Sequence, residues 1–151
     1  MISVTDIAKD FDTLQASDFD DNIVDSNGME RLRQLTGELS LLSLKEKDIS
    51  LEIMFKLMER LADSDLGSPG PLVHTIEKIP DYEQALFKSV GRKPTPLNLW
   101  MLNRVLNTSL SEAARQRLLS MLQDSLSHPL ASTSAKEEAQ TFLDFQNKRS
   151  A

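Results

Sequence analysis

Apolar residues recur along this chain every three or four positions, which is the spacing of one face of an α-helix. The first such face consists of Ile7, Phe11 and Leu14. It predicts a short helix capped by Thr5 or Asp6, residue types that accept hydrogen bonds from the first free N–H groups. The following segment, residues 16–28, is rich in Asp, Asn and Ser and predicts a loop with one turn at most.

A second helix is predicted after Ser26 or Asn27, either of which can cap it. Its apolar face consists of Met29, Leu32, Leu35 and Leu39. Gly37 interrupts the face and lowers the helix propensity by about 1 kcal/mol relative to alanine.

The longest predicted helix follows Ser43, which has Glu46 at the spacing of a capping box. Its wide apolar face comprises Ile49, Leu51, Ile53, Phe55, Leu57, Met58 and Leu61. A face of this width predicts burial on more than one side. Residues 63–71 combine Asp, Ser, Gly and Pro and predict a stop and a turn.

The remaining helices are separated by short polar, glycine or proline connections. Thr95 is predicted to cap one of them, with Pro96 in the first turn. Ser134 and Glu137 have the capping-box spacing for the last helix, and residues 147–151 are predicted to be a frayed tail.

The predicted fold is therefore all-α, with about eight helices that are antiparallel because their connections are short. From residue 45 the helices fall into pairs of HEAT-like length, so both a HEAT-like α-solenoid and a compact irregular helical bundle fit the pattern. A length of 151 residues suits a single domain. We expect one domain over residues 1–151, with a more acidic N-terminal part (1–44) and a core of helical pairs (45–147).

Charge is unevenly distributed. The chain has a net charge of −6; residues 1–65 carry −8 and residues 66–151 carry +2. An acidic segment steers a basic partner towards itself, although it can also serve solubility alone. The candidate partner-binding residues are the carboxylates at its start: Asp10, Asp12, Asp18, Asp20, Asp21, Asp25 and Glu30.

Catalytic and metal-binding signatures are weak. The chain has no cysteine, which removes thiol nucleophiles and zinc–thiolate sites. His74 and Glu77 share a helix face, but a zinc site needs further ligands. The segment that starts at Asp18 lacks the glycine that a calcium-binding loop has at its sixth position. We therefore expect no enzyme activity, no metal and no cofactor.

The expected surroundings of the chain also follow from its residues. The first twelve residues show no basic and apolar leader, and no apolar run reaches the length of a membrane span. An acidic chain is an unsuitable partner for nucleic acid. These observations predict a cytoplasmic protein that binds neither a membrane nor nucleic acid.

Three segments resemble immunity proteins of bacterial polymorphic toxin systems, the contact-dependent growth inhibition group above all. They begin at Pro71 (PLVHTIE), Tyr82 (YEQALFKSVGRKPT) and Trp100 (WMLNRVLN), within a resemblance that covers roughly residues 50–147. The resemblance implies a cytoplasmic protein that binds the C-terminal domain of one cognate toxin, often a nuclease, and covers its active site or substrate cleft. The alternative is a generic helical scaffold or adaptor that binds other proteins.

Overall fold

The computed structural model describes residues 3–67 and 69–150, and this part of the chain is all-α, as the apolar spacing predicts. Within it lie eight α-helices, one 3₁₀ helix at Ala16–Phe19, and no strand. The α-helices are α1 (Val4–Asp12), α2 (Gly28–Leu39), α3 (Leu44–Arg60), α4 (Gly70–Glu77), α5 (Glu83–Arg92), α6 (Pro96–Leu106), α7 (Glu112–Ser125) and α8 (Thr133–Ser150). None of the described helices is long and apolar enough to cross a membrane.

The chain divides into two compact units, a first unit of residues 1–85 and a second unit of residues 86–151. The boundary falls inside α5, because that helix contributes residues to both units. The expected single domain over residues 1–151, with a division near residue 44, stays a prediction.

The first unit has an apolar core formed where α1 packs on α2 and α3, and where α4 packs on α2 and α3. Its most deeply buried side chains include Ile7, Phe11, Leu14, Leu32, Leu39, Met54, Phe55, Met58, Leu72 and Ile76. The predicted inward face of the first helix is thus confirmed. Burial of leucine-sized side chains contributes roughly 1.5–3 kcal/mol each, so these faces hold the helices together.

Two details of this unit correct the sequence prediction. Ile49 is 50% exposed, whereas Met54, which the predicted face omits, is fully buried. The apolar face of α3 is wide enough for either Ile49 or Met54 to point inward. Packing against α1 and α4 buries Met54. Ser3 rather than Thr5 or Asp6 caps α1: its Oγ accepts the Asp6 N–H at 3.2 Å, and the Asp6 carboxylate accepts the Ser3 N–H at 3.3 Å.

In the second unit, α6 and α7 both pack against α8. Thr95 caps α6 as predicted, in a reciprocal box with Asn98. The cap of α8 is Ser132 rather than Ser134, because its hydroxyl accepts the N–H of Ala135 at 3.1 Å. The predicted frayed tail is also wrong up to residue 150, since α8 continues to Ser150; residue 151 lies outside the described residues.

A polar cluster around the buried Gln146 joins α6, α7 and α8 in the second unit. Gln146 of α8 is 0% exposed, and its Nε2 donates to Asn103 Oδ1 at 2.7 Å and to Asn107 Oδ1 at 3.0 Å. The guanidinium of Arg115 on α7 donates to both the side-chain and the main-chain oxygen of Gln146, each at 3.2 Å. A buried amide without partners costs about 1–3 kcal/mol, so this cluster fixes the register of the helices.

Candidate protein-binding surface

The acidic segment, residues 10–30, begins at the C-terminus of α1, which is held in a fixed position. Arg60 of α3 donates from Nη1 to the carbonyl of Leu14 at 2.7 Å and from Nη2 to the carbonyl of Phe11 at 3.1 Å. Phe11 is in the last turn of α1 and Leu14 follows the helix, and a cation is favoured at this end of a helix. Arg60 therefore anchors the start of the acidic segment to α3.

The middle of the segment is held to α2. The Asp18 carboxylate accepts the N–H of Gln15 at 2.8 Å and pairs with Arg31 at 3.4 Å. Arg31 also donates to Thr13 Oγ1 at 2.6 Å. At Gly28 a Cβ atom would lie 2.6 Å from the Asp18 carbonyl oxygen, so only glycine allows this approach. Asp18 is thus a structural as well as an acidic residue.

The candidate carboxylates are open to solvent. Asp18 is half-buried, and the others are exposed: Asp10, Asp12, Asp20, Asp21, Asp25 and Glu30. Asp18, Asp21 and Glu30 come together around one depression of about 380 Å³, which we call the acidic depression. Asp10, Asp12, Asp20 and Asp25 do not line it.

Asp65 also lines the acidic depression, and it is not among the carboxylates predicted from the sequence. It lies in the connection between α3 and α4, more than thirty positions after Glu30. Since no local spacing links Asp65 to Asp18 or Asp21, only the fold could place it there. Arg33 is a cation on the same lining.

Two of the remaining carboxylates shape the loop. The Asp20 carboxylate accepts the N–H of Asn22 at 2.9 Å, which tightens the turn after the 3₁₀ helix. Asp25 has a φ of 68°, a left-handed conformation that Asp and Asn adopt more readily than most residues. The loop between them therefore has a defined course.

That loop presents two apolar side chains to solvent, which the sequence analysis also missed. Val24 is 85% exposed and Ile23 is 43% exposed. In the chain they follow the pair Asp20 and Asp21 and precede Asp25, so the apolar side chains are flanked by charged ones. Interfaces commonly have this composition, with apolar groups at the centre and polar groups around them. The signal in the sequence is an apolar pair inside an otherwise polar loop.

In the same unit, Asp6 at the start of α1 has a clearly shifted pKa. The hydrogen bond from the Ser3 side chain, followed by that from the Ser3 backbone, lowers the pKa of Asp6 below its usual 3.8. Both hydrogen bonds lie in the first turn of α1, where the helix dipole also favours the negative charge of Asp6.

Metal ligation is a second role that a carboxylate-rich surface can have. Across residues 3–67 and 69–150, no group of three or more His, Asp or Glu side chains is arranged to hold a metal ion. His74, whose pairing with Glu77 suggested a partial site, is exposed on α4. The expected absence of a cofactor stays a prediction.

No protein-family model, curated protein or solved structure matches this chain. The resemblance of residues 50–147 to immunity proteins therefore rests on its three sequence segments alone.

Proposed function

We propose that this protein is an immunity protein, which binds the C-terminal domain of a cognate bacterial toxin in the cytoplasm and neutralises it without catalysing a reaction. The observation that carries the proposal is the acidic depression. Asp18 and Asp21, Glu30 and Asp65 come from three separate parts of the chain and line one concave surface. The resemblance of the helical segments from Pro71 onward supplies the class of partner.

Charge is the first physical argument for a basic partner. Exposed carboxylates gain little from any single surface ion pair, typically 0–1 kcal/mol. Together they attract an oppositely charged protein from a distance and raise the association rate. A depression of about 380 Å³ is also large enough to receive a lysine or arginine side chain. The substrate clefts of nucleases are basic because they bind phosphates, and such a cleft is complementary to this surface.

Apolar contact is the second argument, because charge alone gives rate and orientation more than affinity. Val24 and Ile23 are the exposed apolar side chains of the acidic loop. Insertion of Val24 into a partner pocket would remove its surface from water, at roughly 25 cal/mol per Å². The same loop thus carries both carboxylates that would attract a basic partner and apolar side chains that would contact it.

The deciding experiment is co-expression with the toxin C-terminal domain encoded directly upstream of the gene. We expect the full chain to restore growth and to form a one-to-one complex with the toxin domain. Toxicity that persists while this protein is folded and present at an equal level would exclude the immunity function. A complex that forms without protecting the cells would instead favour the scaffold alternative.

The apolar anchor has its own test. Val24→Ser removes an exposed apolar side chain, and Leu130→Ser is a matched control because Leu130 is 60% exposed on the second unit. We expect Val24→Ser to weaken the toxin complex by about tenfold, in line with loss of a central apolar contact. Leu130→Ser should leave the dissociation constant within about twofold. Equal effects of the two changes would show that Val24 is no anchor.

A further inference from the structure

A second cavity of the first unit has the opposite charge. It lies between α2 and α4, beside the first turn of α3, and has a volume of about 540 Å³. We call it the basic cleft. Its cations are Arg33 from α2, Lys47 from α3 and Lys78, which directly follows α4. His74 of α4 also lines it, and its apolar lining includes Leu39 and Ile79.

The concentration of cations in this cleft is unusual for the unit that holds it. Residues 1–85 contain 18 Asp and Glu but only 8 Lys and Arg. Arg33, Lys47 and Lys78 are three of those eight, and no Asp or Glu belongs to the described lining. In the part of the chain that the structure describes, none of the three forms an ion pair. Arg33 also lines the acidic depression, whereas no carboxylate stands between the cations inside the described lining of the basic cleft, and neighbouring cations of this kind favour an anion between them.

Gly37 is an independent observation at the same place. It lies inside α2, lines the basic cleft, and is exposed. A Cβ atom built there would meet nothing within 4 Å, so packing does not require glycine. Glycine is nevertheless the poorest helix former after proline. Its effect in the structure is to leave the backbone of α2 open to the cleft, which suits the close approach of a ligand.

We propose that the basic cleft binds a small organic phosphate monoester. A phosphate dianion needs more than one cation, and Arg33, Lys47 and Lys78 supply three. A volume of about 540 Å³ exceeds the needs of the phosphate group and falls within the range of small-molecule sites. The additional space holds an apolar body beside Pro71, which is half-buried on the lining, above the buried Leu39 and Ile79.

The test uses 1-naphthyl phosphate as the probe and the full chain, with two-dimensional amide NMR to locate the binding. We expect saturable shifts in α2 and α4 at probe concentrations up to roughly 5 mM, the range that detects weak binding. Inorganic phosphate and 1-naphthol each lack one half of the ligand. Each should bind at least about tenfold more weakly than the probe, since charge and apolar contact both contribute.

Two pairs of variants test the cleft itself. Gly37→Leu fills the open space, and Gly91→Leu on α5 is its control because a Cβ there also meets nothing within 4 Å. Lys78→Gln removes a lining cation, and Lys56→Gln is its control because Lys56 is exposed outside the cleft. We expect Gly37→Leu and Lys78→Gln to weaken probe binding by about tenfold, and the controls to change it by less than about twofold.

Several results would overturn the proposal. They are no shifts with the probe, shifts centred on the second unit, and inorganic phosphate or 1-naphthol binding as tightly as the probe. Tight binding that survives Gly37→Leu in a folded protein would equally place the ligand elsewhere. A carboxylate analogue, 1-naphthoate, that binds more tightly than 1-naphthyl phosphate would show that the head group is not a phosphate.

Discussion

Both units of this chain are built of leucine-rich helices, but they differ in net charge and in the interactions that hold their helices together. The first unit, with 18 Asp and Glu against 8 Lys and Arg, carries −10; the second, with 5 against 9, carries +4. The core of the first unit is dominated by apolar side chains, whereas the second buries Asn98 and Gln146 among its helices. The net charge of −6 for the whole chain therefore conceals an acidic unit and a basic one.

The two units therefore differ in which residues can be changed without loss of stability. The first unit places carboxylates, exposed apolar side chains and a basic cleft on elements whose packing is apolar, so its surface can vary without disturbing its core. The second unit depends on hydrogen bonds that require particular residues at particular positions. Changes of one residue type should therefore have different consequences in the two units.

The largest expected effect is loss of an aromatic side chain from the apolar core. Phe11 is 1% exposed in the first unit, whereas Phe145 is 45% exposed in the second. Phe11→Ala should lower the free energy of unfolding by about 3–5 kcal/mol, because a buried cavity replaces the ring. Phe145→Ala should lower it by about 1 kcal/mol or less. Urea unfolding followed by circular dichroism measures both, and similar losses would contradict the assigned burial.

A smaller effect is expected for the polar cluster of the second unit. Gln146→Met keeps the side-chain length but removes every side-chain hydrogen bond to Asn103, Asn107 and Arg115. We expect a loss of about 1–2 kcal/mol, since the half-buried Asn103 and Arg115 each lose a hydrogen bond to a buried amide. Asn107 is exposed and can bond to water instead. The fluorescence of Trp100, which lies in the same unit, follows the unfolding.

The control for this change is Gln140→Met, also on α8. Gln140 is exposed, and its side chain donates to Asp144 of the same helix, at 3.0 Å. Its replacement should change the free energy of unfolding by less than about 0.5 kcal/mol. A Gln146→Met protein as stable as the control would mean that the cluster contributes specificity rather than stability.

The charge difference between the units predicts a kinetic effect. Asp21→Lys at the acidic depression and Glu137→Lys on α8 alter the net charge equally, and both side chains are exposed. Asp21→Lys should slow association with a basic toxin domain by about threefold or more and flatten its dependence on salt. Glu137→Lys should do neither. Stopped-flow mixing at several salt concentrations measures both, and equal slopes would place the interface elsewhere. Asp18 is less suitable, because its pairing with Arg31 makes a charge change structural.

The sequence predicted the helices well because helix periodicity and caps are local signals. The face of Ile7 and Phe11 and the cap at Ser43 required only neighbours three or four residues apart. The cap of α8 was misplaced by two residues, since Ser132 and Ser134 offer the same chemistry and tertiary packing selects between them.

The acidic depression and the basic cleft were harder to predict from the sequence than the helices were. Asp65 joins the acidic depression, and Lys47 and Lys78 join the basic cleft, through contacts between distant parts of the chain. Gln146 looks like a surface residue in the sequence and is fully buried in the fold. Charge totals reveal that a segment is acidic, but its three-dimensional partners depend on how α2, α3 and α4 pack.

The smallest effect expected concerns Asp6 at the start of α1. Its pKa is lowered by the hydrogen bonds from Ser3, so the ionised form is favoured in the folded protein. The stabilisation is therefore fully present above the unfolded pKa of 3.8 and is lost as the pH falls below that value through the folded pKa. The difference in stability between the wild-type protein and Asp6→Asn should shrink over the same interval.

An NMR titration of the Asp6 carboxyl carbon should show Ser3→Ala returning the pKa towards 3.8, because the strongest hydrogen bond to the carboxylate is gone. Thr5→Ala, which removes a neighbouring hydroxyl outside the capping box, should leave the titration unchanged. A pKa that responds equally to both changes would assign the shift to the helix dipole rather than to the Ser3 cap.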